Sequence, residues 1–315
     1  MKTNFFATTG LLFLLIISSL SCEKDNTDSE LEGEVQVEIT DAPVDDAQLN
    51  AVFVTIAEVQ IDGQKLEGFS KTTLDIMAYQ NGRTALLGEM GIDARSYNQV
   101  TLVLDYETDA SGNSPGCYAL DVDGIKHRLE SDDNVVRINK AFSVAAEQTT
   151  RLVIDFDLRK CMARESNPQP EDEYEFTGSG EFNSSLRVVN RDESGVIAGN
   201  CNDLVSDSET LVVFAYRKGT YDRDTEVENQ ADAKFRGAVS SAIVASNGDY
   251  ELHFLEEGEY EIHFASFKDE DNDGKAELQG TLLLDAITAI DLGAIRVDAM
   301  ATINVNVLVT GIIPF

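Results

Sequence analysis

Tryptophan is absent from this chain, and its 315 residues include only 3 histidines, 4 cysteines and 24 lysines and arginines. Each shortage excludes something. Without tryptophan, the flat aromatic platforms on which sugar rings stack must come from tyrosine, which lowers a carbohydrate-binding reading without forbidding it. The basic residues face 57 acids, for a formal net charge of −33. Such a field repels phosphate backbones, so no nucleic-acid partner is expected. Also missing are a GxSxG elbow, an HExxH helix, a phosphate-cradling glycine loop and a cysteine with a plausible histidine partner. No catalytic residue is therefore assigned, and the chain is expected not to be an enzyme. Carboxylate pairs are too abundant for any one of them to mark glycoside hydrolysis.

What is present begins with the first two dozen residues. Lys2 precedes an apolar run at 11–17 that is too short to span a membrane, then Ser18, Ser19, Leu20, Ser21 and Cys22. A charged start, an apolar centre and small residues before a cut are the parts of a secretory signal. With the cysteine immediately after, residues 1–21 resemble a bacterial lipoprotein signal peptide. That resemblance implies acylation of the Cys22 thiol, cleavage before it and a mature protein hung from a membrane leaflet. The pattern departs at Ser19, where leucine is commoner, and the alternative is an ordinary signal with an incidental cysteine. Residues 22–32 are polar and acidic, the composition of a solvated tether. Lys24 followed by acids resembles the signal that sends lipoproteins of Bacteroidetes-type bacteria to the outer face of the outer membrane. A generic charged linker facing the periplasm is the other reading.

Three cysteines remain after Cys22, an odd number that allows at most one internal disulfide. An exported compartment permits it. A Cys161–Cys201 bond would staple the two halves of the chain, and Cys117–Cys161 is the competing pair.

Beyond the tether, apolar residues alternate with period two. Val35, Val37 and Ile39 alternate with Glu34, Gln36 and Glu38, and Leu152, Ile154, Phe156 and Leu158 with Val153, Asp155 and Asp157. Period two with one apolar face marks half-buried strands of antiparallel sheets. Residues 51–61 and 97–104 carry apolar residues on both faces and read as more fully buried strands. Asp62-Gly63, Asn81-Gly82, Asp123-Gly124 and Asn247-Gly248 supply turns. The one helical piece is short, at 74–79. The expected fold is all-β, with two antiparallel β-sandwich domains at 33–190 and 191–315 after the signal and tether.

Thr40-Asp41-Ala42-Pro43 with Asp45-Asp46, the apolar 52–59, Leu74-Asp75-Ile76, Gln80-Asn81-Gly82, Tyr97 with 100–104 and finally 186–189 closely resemble the bacterial lipoprotein domain-of-unknown-function family numbered four-three-eight-two. The resemblance implies a β-sandwich in the cell envelope and brings no known activity. In the second half, Gly195-Val196-Ile197-Ala198-Gly199, Gly248-Asp249-Tyr250 and Gly258-Glu259-Tyr260 resemble a carboxypeptidase-regulatory or transthyretin-like sandwich, which implies a spacer or binding scaffold.

Three constellations stand out. Asp269, Asp271, Asp273, Gly274, Lys275 and Glu277 place acids at alternate positions before a glycine bend, as a calcium loop does. Gly280 stands where an EF-hand has its bidentate glutamate, so a structural Ca²⁺ site in a β-connection competes with a merely acidic turn. Asp41, Asp45 and Asp46 flank Pro43 and read as a cation or ligand site, or as a turn in which aspartates cap backbone amides. His253 and His263, beside Glu251 and Glu261, are expected on successive strands of one hairpin, either sharing a transition metal or lying solvated across it. His127 stands alone.

The sequence therefore points to a lipid-anchored envelope protein, surface-exposed on the outer membrane, binding an unknown protein or glycan or serving as a structural accessory. The alternatives are a glycan-binding accessory of a nutrient-uptake system and a surface hydrolase.

Overall fold

The alternation at 34–39 becomes the strand Glu32–Ala42, which places Val35, Val37 and Ile39 fully in the first core. The computed structural model describes residues 31–42, 49–164, 174–203, 210–228, 234–270, 276–287 and 289–314, and these fall in a single compact unit beginning at Leu31. The signal, Cys22 and most of the tether lie outside the described residues. Among the described residues no helix is long and apolar enough to cross a membrane, which says nothing of strands.

The fold is all-β. Glu32–Ala42 sits inside a four-stranded sheet, antiparallel to Ala85–Asp93 and parallel to Thr149–Asp157, with Leu186–Asn190 closing that side. The parallel register sets Val37 beside Leu152, Ile39 beside Ile154 and Asp41 beside Phe156, so the two strands bury their apolar faces together. Facing them, Leu49–Ile61 is the centre of a seven-stranded sheet, flanked by Ser96–Leu104 and Tyr118–Asp121. It is buried along most of its length, as its apolar residues on both faces require. The expected helix at 74–79 is a short 3-10 turn, Ile76–Tyr79. A further helix, Ser179–Ser185, has a glycine and three serines among its seven residues and so carries no helical signal in the sequence. It is held by Phe182, which stacks on Phe176 with ring centroids 4.6 Å apart and meets Phe156 edge-on at 5.7 Å.

In the second half, Ser194–Asn202 is antiparallel to Asp249–Glu256 and parallel first to Thr302–Asn304 and then to Val307–Pro314. The sheet continues through Glu277–Ala286, Gly258–Lys268, Thr210–Arg217 and Ser240–Ile243. Tyr250 and Tyr260 both point into this core, and the Tyr250 hydroxyl donates to the Val305 carbonyl at 2.5 Å. A second apolar cluster on the other face of the sheet centres on Phe214 and Phe235, stacked at 4.1 Å.

Two expectations are corrected here. Asp249–Glu256 and Gly258–Lys268 are not a hairpin: the first pairs with Ser194–Asn202 and the second with Thr210–Arg217. One residue, Glu257, joins them, and a hairpin needs a loop of at least about two residues, so the chain crosses over. Nor does a disulfide form. Cys117, Cys161 and Cys201 are all free and buried, Cys117 and Cys161 in the first core and Cys201 in the second. Cys161 ends the helical turn Leu158–Cys161, where its thiol donates to the Leu158 carbonyl at 3.8 Å. Burial pushes all three thiols up, Cys117 and Cys201 to about 12, so they behave as small apolar side chains.

Candidate functional site

The outward face of the four-stranded sheet carries Glu38, Thr40, Val153, Asp155, Asp157, Arg187 and Val189, alternating with the core residues. The second half covers it. Between Ser194–Asn202 and Asp249–Glu256 the register skips, so that His253 and Phe254 together oppose Val196. Such a bulge re-aims side chains. Phe254 adopts φ 55° there, which sets its ring against Val153 and Val189 and its carbonyl 2.8 Å from Arg187 Nη1. Arg187 Nε donates to Asp155 Oδ2 at 2.9 Å. Arg191 pairs with Glu38, and Lys140 with Glu256.

A parallel arrangement holds the far end. Phe235 also has φ 55°, and its carbonyl and that of Lys234 accept from Arg159 Nη1 at 2.7 and 2.8 Å. Arg159 Nη2 donates to Asp157 at 3.1 Å, and Lys160 Nζ donates to the Ala238 carbonyl at 2.6 Å. Burial alone would raise the Asp157 carboxyl, but the charges of Arg159, Lys160 and Arg187 hold it below the usual range. Asp41 differs: burial raises its carboxyl well above the usual range, against the Gln80 amide and with Asp155 and Asp157 adding repulsion.

These contacts explain the Thr40-Asp41 and Gln80-Asn81-Gly82 motifs. The Thr40 hydroxyl lies 2.8 and 2.9 Å from the carbonyls of Tyr79 and Arg83, and Gln80 donates to Asp41 Oδ2 at 3.1 Å. Asp41 Oδ1 accepts the Leu158 amide at 3.4 Å, so this aspartate caps a backbone amide. Gly82 has φ +73° and lies so close to the His253 ring that an added Cβ would come within 2.5 Å of it. Glycine is required there twice over. Asp45 and Asp46 lie outside the described residues.

Beside this seam opens a cleft of about 440 Å³. Val135–Ser143 and the helix Ser179–Ser185 form one wall, and Arg217, Val239, Glu256 and Tyr260 the other. Arg137, Lys140, Arg187 and Arg217 all line it, with Glu256 as the carboxylate among the lining residues. Arg217 lies 4.7 Å over the Tyr260 ring and donates to Glu256 at 2.9 Å. Burial acts to raise the Glu256 carboxyl, but the Lys140 hydrogen bond and the charges of Lys140, Arg217 and Arg187 hold it below the usual range.

The other foreseen groups stand apart. His253 pairs with Glu251 at 2.9 Å; His263 lies 3.5 Å from Glu261 and stacks on Tyr221 at 3.7 Å. They occupy different strands and share nothing. Glu261 is engaged by the backbone amides of Gly219, Thr220 and Tyr221 at 2.8 to 3.1 Å. His127 is buried, 3.0 Å from Asp121. Of the acidic loop, Asp269 and Glu277 are described. Glu277 pairs with Lys268 in the ladder and accepts the Glu270 amide at 3.1 Å. Asp271, Asp273 and Lys275 lie outside the described residues. Among the described residues no group of three or more His, Cys, Asp or Glu is placed to hold a metal ion.

The first half, with its Thr40-Asp41 motif holding the 79–83 turn, is the part of the chain for which a family is found. Residues 32–177 match the family model described as Domain of unknown function (DUF4382). The DUF4382 match stops short of Leu186–Asn190, the strand that completes the four-stranded sheet and carries Arg187 into the seam. No curated protein matches the chain. Among solved structures, the TIE protein of Bacillus anthracis is similar at 12% identity and TM-score 0.19, over 89% of this chain and 34% of that one. The major pilin subunit of Bacillus cereus is similar at 8% identity and TM-score 0.21, over 89% and 70%. The minor pilin of Streptococcus agalactiae is similar at 11% identity and TM-score 0.20, over 89% and 97%. This chain spans about a third of the Bacillus anthracis protein's length.

Proposed function

We propose that this chain is a lipid-anchored envelope protein that acts as a surface binding or structural accessory module and not as an enzyme. One observation carries the non-catalytic part. Glu38, Asp155 and Asp157 are buried at the seam, and each is matched by an arginine, Arg191, Arg187 or Arg159. Catalytic groups are held poised for proton transfer, whereas these are paired with arginines, two of which also donate across the seam to the carbonyls of Phe254, Lys234 and Phe235. The address rests on Cys22 and its tether, and the outer face of the outer membrane on Lys24 and the acids after it. The reading of residues 191–315 as a transthyretin-like sandwich belongs to the same proposal, as does a structural Ca²⁺ at Asp269, Asp271, Asp273, Lys275 and Glu277.

Protease shaving of intact cells, with lysed cells as control, tests the address. Digestion on intact cells supports surface display. Protection until lysis overturns it. A Cys22→Ser variant is expected to leave the membrane fraction, and turnover of a glycan or peptide by the purified protein would refute the absence of catalysis. For the metal, Ca²⁺ is expected to raise the melting temperature, and an Asp271→Ala variant that responds like the parent would sink that part.

A further inference from the structure

We propose that the cleft between the two halves binds a small, hydroxyl-rich ligand bearing carboxylates, the chemistry of an acidic saccharide. The inference deepens the reading of the chain as a binding module and rests on it.

Charge sets the cleft apart first. Acids outnumber bases more than two to one over the chain, with 57 against 24. In the cleft the ratio inverts, since Arg137, Lys140, Arg187 and Arg217 line it with Glu256 as their carboxylate. Lys140 and Arg217 both contact that one carboxylate. Asp155, not itself among the lining residues, is engaged by Arg187, and Asp133 lies 3.4 Å from Arg137. Counting those two acids as well, four cations meet three anions. Arginine's planar fork matches a carboxylate in two parallel hydrogen bonds, and Arg137 keeps half of its side chain exposed to offer one.

Size and lining narrow the ligand further. A cleft of about 440 Å³ falls within the roughly 300 to 1,000 Å³ of small-molecule sites and exceeds what a lone inorganic anion fills. Its neutral polar groups are side-chain amides and hydroxyls, Asn139, Asn183 and Ser184, suited to hydroxyl groups. All three are fixed: Asn139 accepts from the Gln99 side-chain amide at 3.0 Å, Asn183 accepts the Arg137 amide at 2.9 Å, and Ser184 donates to the Glu181 carbonyl at 2.7 Å, which leaves the two asparagine NH₂ groups to donate. With the Arg137 amide taken, the strand offers less to an extended peptide, which would bind by adding main-chain hydrogen bonds to a sheet edge. The excess of cations over carboxylates disfavours a metal cation. Long polyanions are repelled by the net field, whereas a short one reaches the cleft because salt screens charge beyond about 8 to 10 Å.

The test is calorimetric titration of the full-length protein in detergent with short galacturonate oligomers. Neutral galactose oligomers of equal length, sodium sulfate and a short glutamate peptide serve as comparisons. Arg137 lies outside the seam, so Arg137→Gln is expected to keep the parent melting temperature while weakening galacturonate binding roughly tenfold, the loss of one charged hydrogen bond. Arg137→Lys keeps the charge but not the fork, and is expected to recover only part of the affinity. Galacturonate binding with neutral oligomers at least about tenfold weaker is the expected result. The proposal is overturned by no binding, by equal binding of neutral oligomers, by sulfate or the glutamate peptide binding as well as galacturonate, or by an Arg137→Gln variant that binds unchanged. Loss of this inference leaves the protease-shaving result untouched, and a buried protein that still binds galacturonate would fail only the surface reading.

Discussion

Inside each half the chain buries aliphatic and aromatic side chains, whereas at the seam between the halves it buries charge. Phe156, Phe176 and Phe182 pack ring on ring in the first half, and Tyr250 and Phe264 meet edge-on at 5.2 Å in the second. At the seam one small apolar cluster, Val153, Val189 and Phe254, is accompanied by the pairs of Arg187, Arg191, Arg159 and Lys140. Apolar burial is roughly additive in area and indifferent to direction. Buried ion pairs gain little net stability after desolvation but are costly to mismatch. The cores therefore hold each half, and the seam selects how the two meet, down to two left-handed phenylalanines whose carbonyls face guanidinium groups.

That contrast can be broken at its strongest point first. Phe156→Ala, at a fully buried site, is expected to cost about 3 to 5 kcal/mol in chemical denaturation, the range for a large aromatic cavity. If it cost less than a seam truncation, the cores would not be the main source of stability. Next, Arg187→Met leaves Asp155 buried without its partner. The expected loss is about 2 to 3 kcal/mol, reduced because Arg187 keeps 27% of its side chain exposed. Adding Asp155→Leu is expected to restore most of it, and failure of that rescue would mean that the pair itself is a net source of stability.

The seam also predicts a pH signature. The Asp41 carboxyl is raised in the folded protein, so its ionised form costs stability above that raised value, and the cost fades as pH falls through it. Asp157 and Glu256 are depressed, so their contribution is present above the usual carboxylate range and is lost as pH falls through their lowered values. Asp41→Asn is expected to raise the melting temperature at neutral pH, with the gap over the parent closing on acidification. A constant gap across pH would show that its cause is not ionisation. The smallest effect is expected at Arg296, whose exposed pair with Asp298 leaves 70% and 56% of the two side chains open to solvent. Arg296→Ala is expected to change unfolding free energy by less than about 0.5 kcal/mol, and a larger change would erase the distinction between surface and seam pairs.

Much of the fold was legible because period-two patterning states which side of a strand is buried. Val35, Val37, Ile39 and Leu152, Ile154, Phe156 all lie where alternation puts them. Partnership was less legible, since alternation is the same for parallel and antiparallel neighbours. The parallel pairing of Glu32–Ala42 with Thr149–Asp157 left no local mark. The crossover at Glu257 was misread as a hairpin because Tyr250 and Tyr260 repeat a similar local pattern. The candidate cleft was not legible at all. Arg137, Lys140, Arg187 and Arg217 are scattered over 81 positions, and each looks like an ordinary solvent-facing residue of its own strand. The one hint was that Val153 and Val189 are apolar on an otherwise polar face.

By itself, the sequence determined that the chain is built of strands, which residues point into each core, and that its surface repels polyanions. These follow from properties carried by neighbouring residues and by summed charge. Only the tertiary structure decided that the polar face of one sheet would be covered by the second half, that the amide Asp41 caps would be that of the distant Leu158, and that four cations would converge on one cleft. Those outcomes depend on groups far apart in sequence brought within a few ångströms, and contact at that range is a property of packing that no local pattern encodes.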